Sequence, residues 1–260
     1  MRIARFAHPE GMAFGVIEGA AGAGHDGQIV AEVAEHPFGR ITLTGRRWAL
    51  ADVRLLAPIL PTKVIGIGKN YADHAAEMGG PAPTAPVVFL KPSTSVIGPG
   101  DPIRLPPDSQ RVDHEAELAV VIGGVVRDIP RDRALATVLG YTCANDVTAR
   151  DQQEADGQWT RAKGHDSFCP LGPWIETELD PGDLGVRAEL DGVVKQDSRT
   201  SLLIHDVSTL ISYVSHIMTL LPGDVILTGT PAGVGPMTDG STISVTLEGI
   251  GTLTNPVTSR

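Results

Sequence analysis

The chain has 260 residues, 42% of them hydrophobic, with 30 glycines and 20 prolines. That is enough apolar material for one large domain with an appendage, and so many turn residues suit a β-rich fold better than a helical bundle. Asp and Glu number 31 against 21 Lys and Arg, a formal charge of −10; this speaks against nucleic-acid binding but leaves a small anionic substrate open, because a local site can oppose the global charge.

The two cysteines, Cys143 and Cys169, are too few for a disulfide framework or a zinc cluster. The opening "MRIARFAHPEGMAFG" has no apolar signal core. No run approaches the roughly 18 apolar residues of a membrane helix, so a cytoplasmic protein with no membrane partner is expected.

In chain order, "RIARFA", "MAFGVIEG" and "RITLTG" read as short strands of a small β-rich domain over residues 1–57. The proline-bearing "APILPTK" (57–63) marks its boundary with a main domain over 58–260. "KVIGIG" (63–68) is a buried strand, and "NYADHAAEMGG" (70–80) a short helix closed by Gly79 and Gly80. The Pro-rich 79–86 segment follows it. "VVFLKP" (87–92), "ELAVVIG" (117–123), "VLGYTCAND" (138–146), "GVRAEL" (185–190), "VILTG" (225–229) and "STISVTLEGIG" (241–251) are further strands. In 201–220, Ile204, Val207, Leu210, Ile211, Val214 and Ile217 recur at helical spacing. The fold class is therefore α+β and mostly β.

"RVDHEAELAVVIGG" (111–124) places Glu115 and Glu117 just before an apolar run. In a strand, i and i+2 face the same way with Cα atoms ~6–7 Å apart. Two carboxylates entering a core together need solvent, a proton or a cation, and hard cations such as Mg²⁺ favour oxygen ligands. Asp146, at the end of a strand, could be a third ligand. Arg150 and Gln153 follow it on one helical face, as anion-binding groups. His74 and Glu77, i and i+3 on the short helix, could form a dyad that holds or deprotonates a water. Lys163 lies in "TRAKGHD", and Thr228 and Thr230 in the Gly-rich "ILTGTPAGVG". That turn lacks the Lys-Ser/Thr of a P-loop, and "GIGKNY" lacks the third glycine of a dinucleotide fingerprint. "HEAEL" is not a zincin motif, since residue 118 is leucine.

Six segments occur in order: "GIGKNYADHAAEMG", "PVVFLKPSTSVIGPGDPI", "VDHEAELAVVIG", "GYTCANDVTARDQQ", "TRAKGHDSFCPLGPWI" and "LPGDVILTGTPAGVG". Together they resemble the fumarylacetoacetate hydrolase family over roughly residues 60–256, above all its short bacterial isomerases, acylpyruvases and oxaloacetate decarboxylases. The resemblance implies a β-roll or sandwich, a homodimer, and one divalent cation per subunit, Mg²⁺ or Mn²⁺, with Ca²⁺ as a further candidate. It implies Glu115, Glu117 and Asp146 as metal ligands. Arg150, Gln153, Lys163 and Thr230 are implied as substrate contacts, with Lys163 also serving the chemistry, and His74 and Glu77 as a water-activating dyad. An acidic 2-oxo substrate would react through a stabilised enolate. The dyad argues for hydrolysis of a carbon–carbon bond; that reaction or oxaloacetate decarboxylation is the first reading, and isomerisation of 2-hydroxyhepta-2,4-diene-1,7-dioate the alternative. A non-catalytic, cation-stabilised β protein is a remote third.

Overall fold

The strand pattern resolves into a large sheet with a second sheet packed on it. The computed structural model describes residues 1–19 and 27–259. The large sheet runs, in spatial order, Leu43–Ala49, Ile29–Val33, Gly11–Glu18, Arg2–His8, Cys169–Glu176, Val138–Asn145, Ala116–Ile122, Val225–Leu227, Val64–Gly68 and Val87–Lys91. Its first four strands belong to the small N-terminal β domain. They join the rest through the antiparallel pairing of Arg2 with Glu176 and Ile3 with Ile175, so the sheet continues across the two parts. A five-stranded sheet, Val193–Arg199, Gly185–Leu190, Thr242–Leu247, Gly251–Ser259 and Ile103–Leu105, packs on its centre.

The Ala116–Ile122 strand is buried on both faces, which is why it reads as a continuous apolar run. Leu118, Val120 and Ile122 face one hydrophobic cluster with Val186, Val245 and Leu253. Ala119 and Val121 face another with Val64, Leu171, Val225 and Leu227. Each fully buried Val, Leu or Ile contributes about 1.5–3 kcal/mol. A one-residue slip would exchange the two faces. The register is therefore held firmly, and with it the direction in which Glu117 points.

Several elements differ from expectation. The predicted 40–45 strand lies at Leu43–Ala49. Ile29–Val33, Cys169–Glu176 and Val193–Arg199 are strands that no sequence signal marked; the second carries Pro170 and Pro173, which usually argue against a strand. The 241–251 strand is a hairpin, Thr242–Leu247 returning as Gly251–Ser259, with Gly249 at φ +78° in its turn. The long predicted helix is confined to Val207–Ile217. Asp206 stops it from starting earlier: its Oδ1 accepts the Thr209 amide at 2.8 Å, an N-cap. The preceding residues are instead drawn to Asn70, whose carbonyl accepts the Ile204 amide and whose Oδ1 accepts that of His205. Asp206→Ala is expected to lower stability by about 1 kcal/mol, read as a shift in the urea midpoint; no shift would show that the cap is dispensable. Among the described residues no helix is long and apolar enough to cross a membrane.

Candidate functional site

The site lies where the apolar strand begins. Glu117 shares a face of that strand with Ala119 and pairs with Ala144 across the ladder. Asp146 follows the Val138–Asn145 strand, and its amide donates to the Glu115 carbonyl at 2.9 Å. A three-stranded ribbon of Thr148–Ala149, Val112–His114 and Gly235–Pro236 then brings the root of helix Arg150–Asp156 beside the Gly-rich turn.

Three carboxylates named from sequence converge: ligand oxygens of Glu115, Glu117 and Asp146 lie within 4.8 Å of one another, and all three residues are buried. Lys163 Nζ bridges two of them, donating to Glu115 Oε2 at 2.8 Å and Asp146 Oδ2 at 2.6 Å. Lys91, which the sequence showed only as part of a strand, donates to Asp146 Oδ1 and, at 3.2 Å, to the Val147 carbonyl. Arg150 donates to Asp113 at 2.9 Å, to Gln153 Oε1 at 2.9 Å and to Glu115. The guanidinium expected to receive substrate is thus committed to the protein's own acids, with Gln153 beside it.

These neighbours set the charges. Burial pushes the Glu115 pKa up, but Lys163 and Arg150 pull harder and hold it far below the usual carboxylate range. Among the described residues, Glu117 accepts only the Gly229 amide, at 2.6 Å. Burial, reinforced by Asp146 and Glu115, raises its pKa well above normal. Burial would lower the Lys163 pKa, but Asp146 and Glu115 more than offset it. Asp146 and Glu115 pair with the buried Lys91, Lys163 and Arg150, and Asp113 with Arg150 and the exposed Arg111. Among the described residues no cation pairs with Glu117, so the local deficit of positive charge falls on that acid. An all-oxygen donor set with that deficit fits a hard divalent cation such as Mg²⁺, Mn²⁺ or Ca²⁺.

His74 is buried, and its Nδ1 lies 3.0 Å from Glu77 Oε2, so the dyad forms as expected on helix Ala72–Glu77. Glu77 Oε1 also accepts the Gly233 amide at 3.0 Å, latching the helix to the Gly-rich turn. The turn's amides therefore meet the protein's own anions, Glu117 and Glu77. Gly233 is required there, since a Cβ would lie 2.1 Å from the Lys195 carbonyl oxygen. Thr230 Oγ1 donates to the Ala116 carbonyl and accepts from Gln196 Nε2 at 2.7 Å. Gln196, missed from sequence, also accepts the Ala116 amide and so ties turn to strand.

His74, Arg150, Gln153, Lys163 and Thr230 line one cavity of about 150 Å³ with the three acids. Gly68 and Trp159 line it as well, and the ring packing behind them explains "GIG": Gly66 and Gly68 share a strand face. A Cβ on Gly66 would lie 2.1 Å from the Phe89 ring, and one on Gly68 would lie 2.5 Å from Trp159. The two rings meet edge-on over these glycines, 5.3 Å apart.

A mostly β fold with a buried acidic triad opening on such a cavity matches the family that the motifs resemble. The model described as fumarylacetoacetate hydrolase C-terminal matches residues 63–258, and one described as Rv2993c-like, N-terminal, matches residues 1–58. The chain belongs to the fumarylacetoacetate hydrolase family. It is 60% identical, over 100% of its own length and 99% of the relative's, to Protein Rv2993c of Mycobacterium tuberculosis. Over its whole length it is 60% identical (TM-score 0.94, all of that chain covered) to a structure named as 5-carboxymethyl-2-hydroxymuconate delta-isomerase from Mycobacterium smegmatis. It is 30% identical (TM-score 0.74, 80% of this chain and 92% of the other) to fumarylpyruvate hydrolase from Pseudomonas aeruginosa, solved with Mn²⁺ and pyruvate.

Proposed function

We propose that this chain is a divalent-metal-dependent isomerase of acidic 2-oxo compounds and their enol forms, moving a proton along a conjugated acid such as 2-hydroxyhepta-2,4-diene-1,7-dioate. The observation that carries it is the placing of His74, held by Glu77, and the acidic triad around one cavity. A cation held by Glu115, Glu117 and Asp146 would supply Lewis-acid neutralisation of charge on the substrate's 2-oxygen.

The chain's own groups do the rest. Glu77 fixes His74 through Nδ1, leaving Nε2 as the nitrogen that takes or returns a proton at carbon. Overall, one proton leaves the 2-hydroxyl and one is added at the far end of the conjugated system, with no water consumed. The Lys163 ammonium stabilises negative charge on an oxygen nearby, while Gln153 orients the acid. From sequence alone hydrolysis or decarboxylation ranked first. The full-length similarity to a named isomerase supports isomerisation ahead of them. A Xenopus laevis relative named oxaloacetate tautomerase, 44% identical over 80% of this chain and 69% of its own length, adds to that support. Hydrolysis stays the second reading, because the same dyad can polarise a water.

The test supplies the metal-loaded chain with the dienedioate in D₂O, and separately with an acylpyruvate. Loss of diene absorbance with deuterium uptake at carbon is expected; pyruvate release without diene isomerisation would overturn the assignment in favour of hydrolysis. His74→Gln should lower isomerisation by about 10²–10⁴-fold with Mn²⁺ affinity unchanged. Undiminished turnover would remove His74 from the chemistry.

A further inference from the structure

Lys69 joins the Val64–Gly68 strand to the helix that carries His74. Its backbone has φ +54°, a left-handed conformation that residues with a side chain seldom adopt. It is half-buried and lines the same cavity as the acidic triad. Its ammonium lies over Gly80, just past the helix, 3.5 Å from where a Cβ would stand.

The cavity's other permanent cations are already paired. Lys163 is held between Glu115 and Asp146, and Arg150 between Asp113 and Glu115. Among the described residues no carboxylate pairs with Lys69, and no hydrogen bond engages its side chain. Glu154 also lines the cavity but is exposed to solvent, which screens its charge.

We infer that Lys69 is the specificity-determining residue that receives the second carboxylate of a dicarboxylic substrate. This rests on the reading that the acidic triad takes the 2-oxo acid end through a metal. A diacid anchored there by one end needs a cation for its other end, and Lys69 is the cavity lysine that pairs with no carboxylate among the described residues. The enzyme would then select 2-oxo diacids and their enols over monoacids of the same length.

The test is calorimetric titration of the full chain, loaded with Mn²⁺, with 2-oxoheptanedioate and with 2-oxoheptanoate. The native protein is expected to bind the diacid about tenfold or more tightly than the monoacid, the range of one charge-assisted contact. K69N, in which asparagine tolerates the left-handed backbone, should bind the diacid no better than the monoacid, while K69R keeps the preference. Equal binding of the pair by the native protein, or a preference that survives in K69N, would overturn the role of Lys69 alone. Binding of neither acid would overturn the metal-anchored reading along with it.

Discussion

Glu117→Gln is expected to abolish metal-dependent turnover, by about 10³-fold or more, while making the metal-free protein more stable at neutral and alkaline pH. Glu117 is buried beside Asp146 and Glu115 and accepts the Gly229 amide. Burial, then those two acids, raise its pKa, so the folded chain keeps this proton to a higher pH than the unfolded chain does. The stability drawn from that proton is complete below the unfolded value of roughly 4.3. It is lost as pH rises through the raised folded value. Glutamine has no proton to lose and still offers an acceptor to Gly229. The stability gap between E117Q and the native chain in chelator should therefore be wider at pH 8 than at pH 5. Added Mn²⁺ should stabilise the native chain and leave E117Q unmoved. Thermal unfolding at both pH values, with chelator and with metal, decides this; equal stabilisation of both proteins by Mn²⁺ would place the cation elsewhere.

Lys163→Met removes the opposite charge and should have the opposite signature. The Lys163 ammonium is buried between Glu115 and Asp146, 5.0 Å above the Phe89 ring. Deleting one partner of a buried ion pair typically costs about 3–5 kcal/mol, since the remaining charge stays desolvated. Methionine fills much the same volume, so the loss is electrostatic rather than a cavity. A divalent cation at the acidic triad would restore part of the missing positive charge. Urea unfolding of K163M is thus expected to show a large loss in chelator that shrinks in millimolar Mg²⁺ or Mn²⁺. A variant as stable as the native chain, or a loss indifferent to metal, would sink the idea that lysine and cation share the same acids. Turnover should fall with either outcome for stability, because the ammonium lines the cavity beside the acidic triad.

The two substitutions probe one design. An apolar strand, buried on both faces, is held in register strongly enough to carry a carboxylate that is unfavourable where it stands. Leu118, Val120 and Ile122 on one face, with Ala119 and Val121 on the other, fix the pleat. Glu117 has no alternative face to turn to.

Much of this was legible in the linear chain, and for a local reason. The E-x-E spacing, the apolar run behind it and the i, i+3 placing of His74 and Glu77 depend only on the periods of strand and helix, which neighbouring residues impose. The ordered motifs added Asp146, Lys163 and Thr230. What sequence could not supply is which charges meet. Lys91 pairs with Asp146 across 55 positions, and Arg150 reaches Asp113 across 37. A buried ion pair of that kind leaves no periodic trace, because any acid and any base satisfy the pattern. Only tertiary packing decided that Arg150 is spent on the protein's own acids, that Gln196 ties the Gly-rich turn to the central strand, and that Lys69 pairs with no carboxylate among the described residues. Local spacing thus determined the kind of chemistry, and long-range burial determined which groups remain free to perform it.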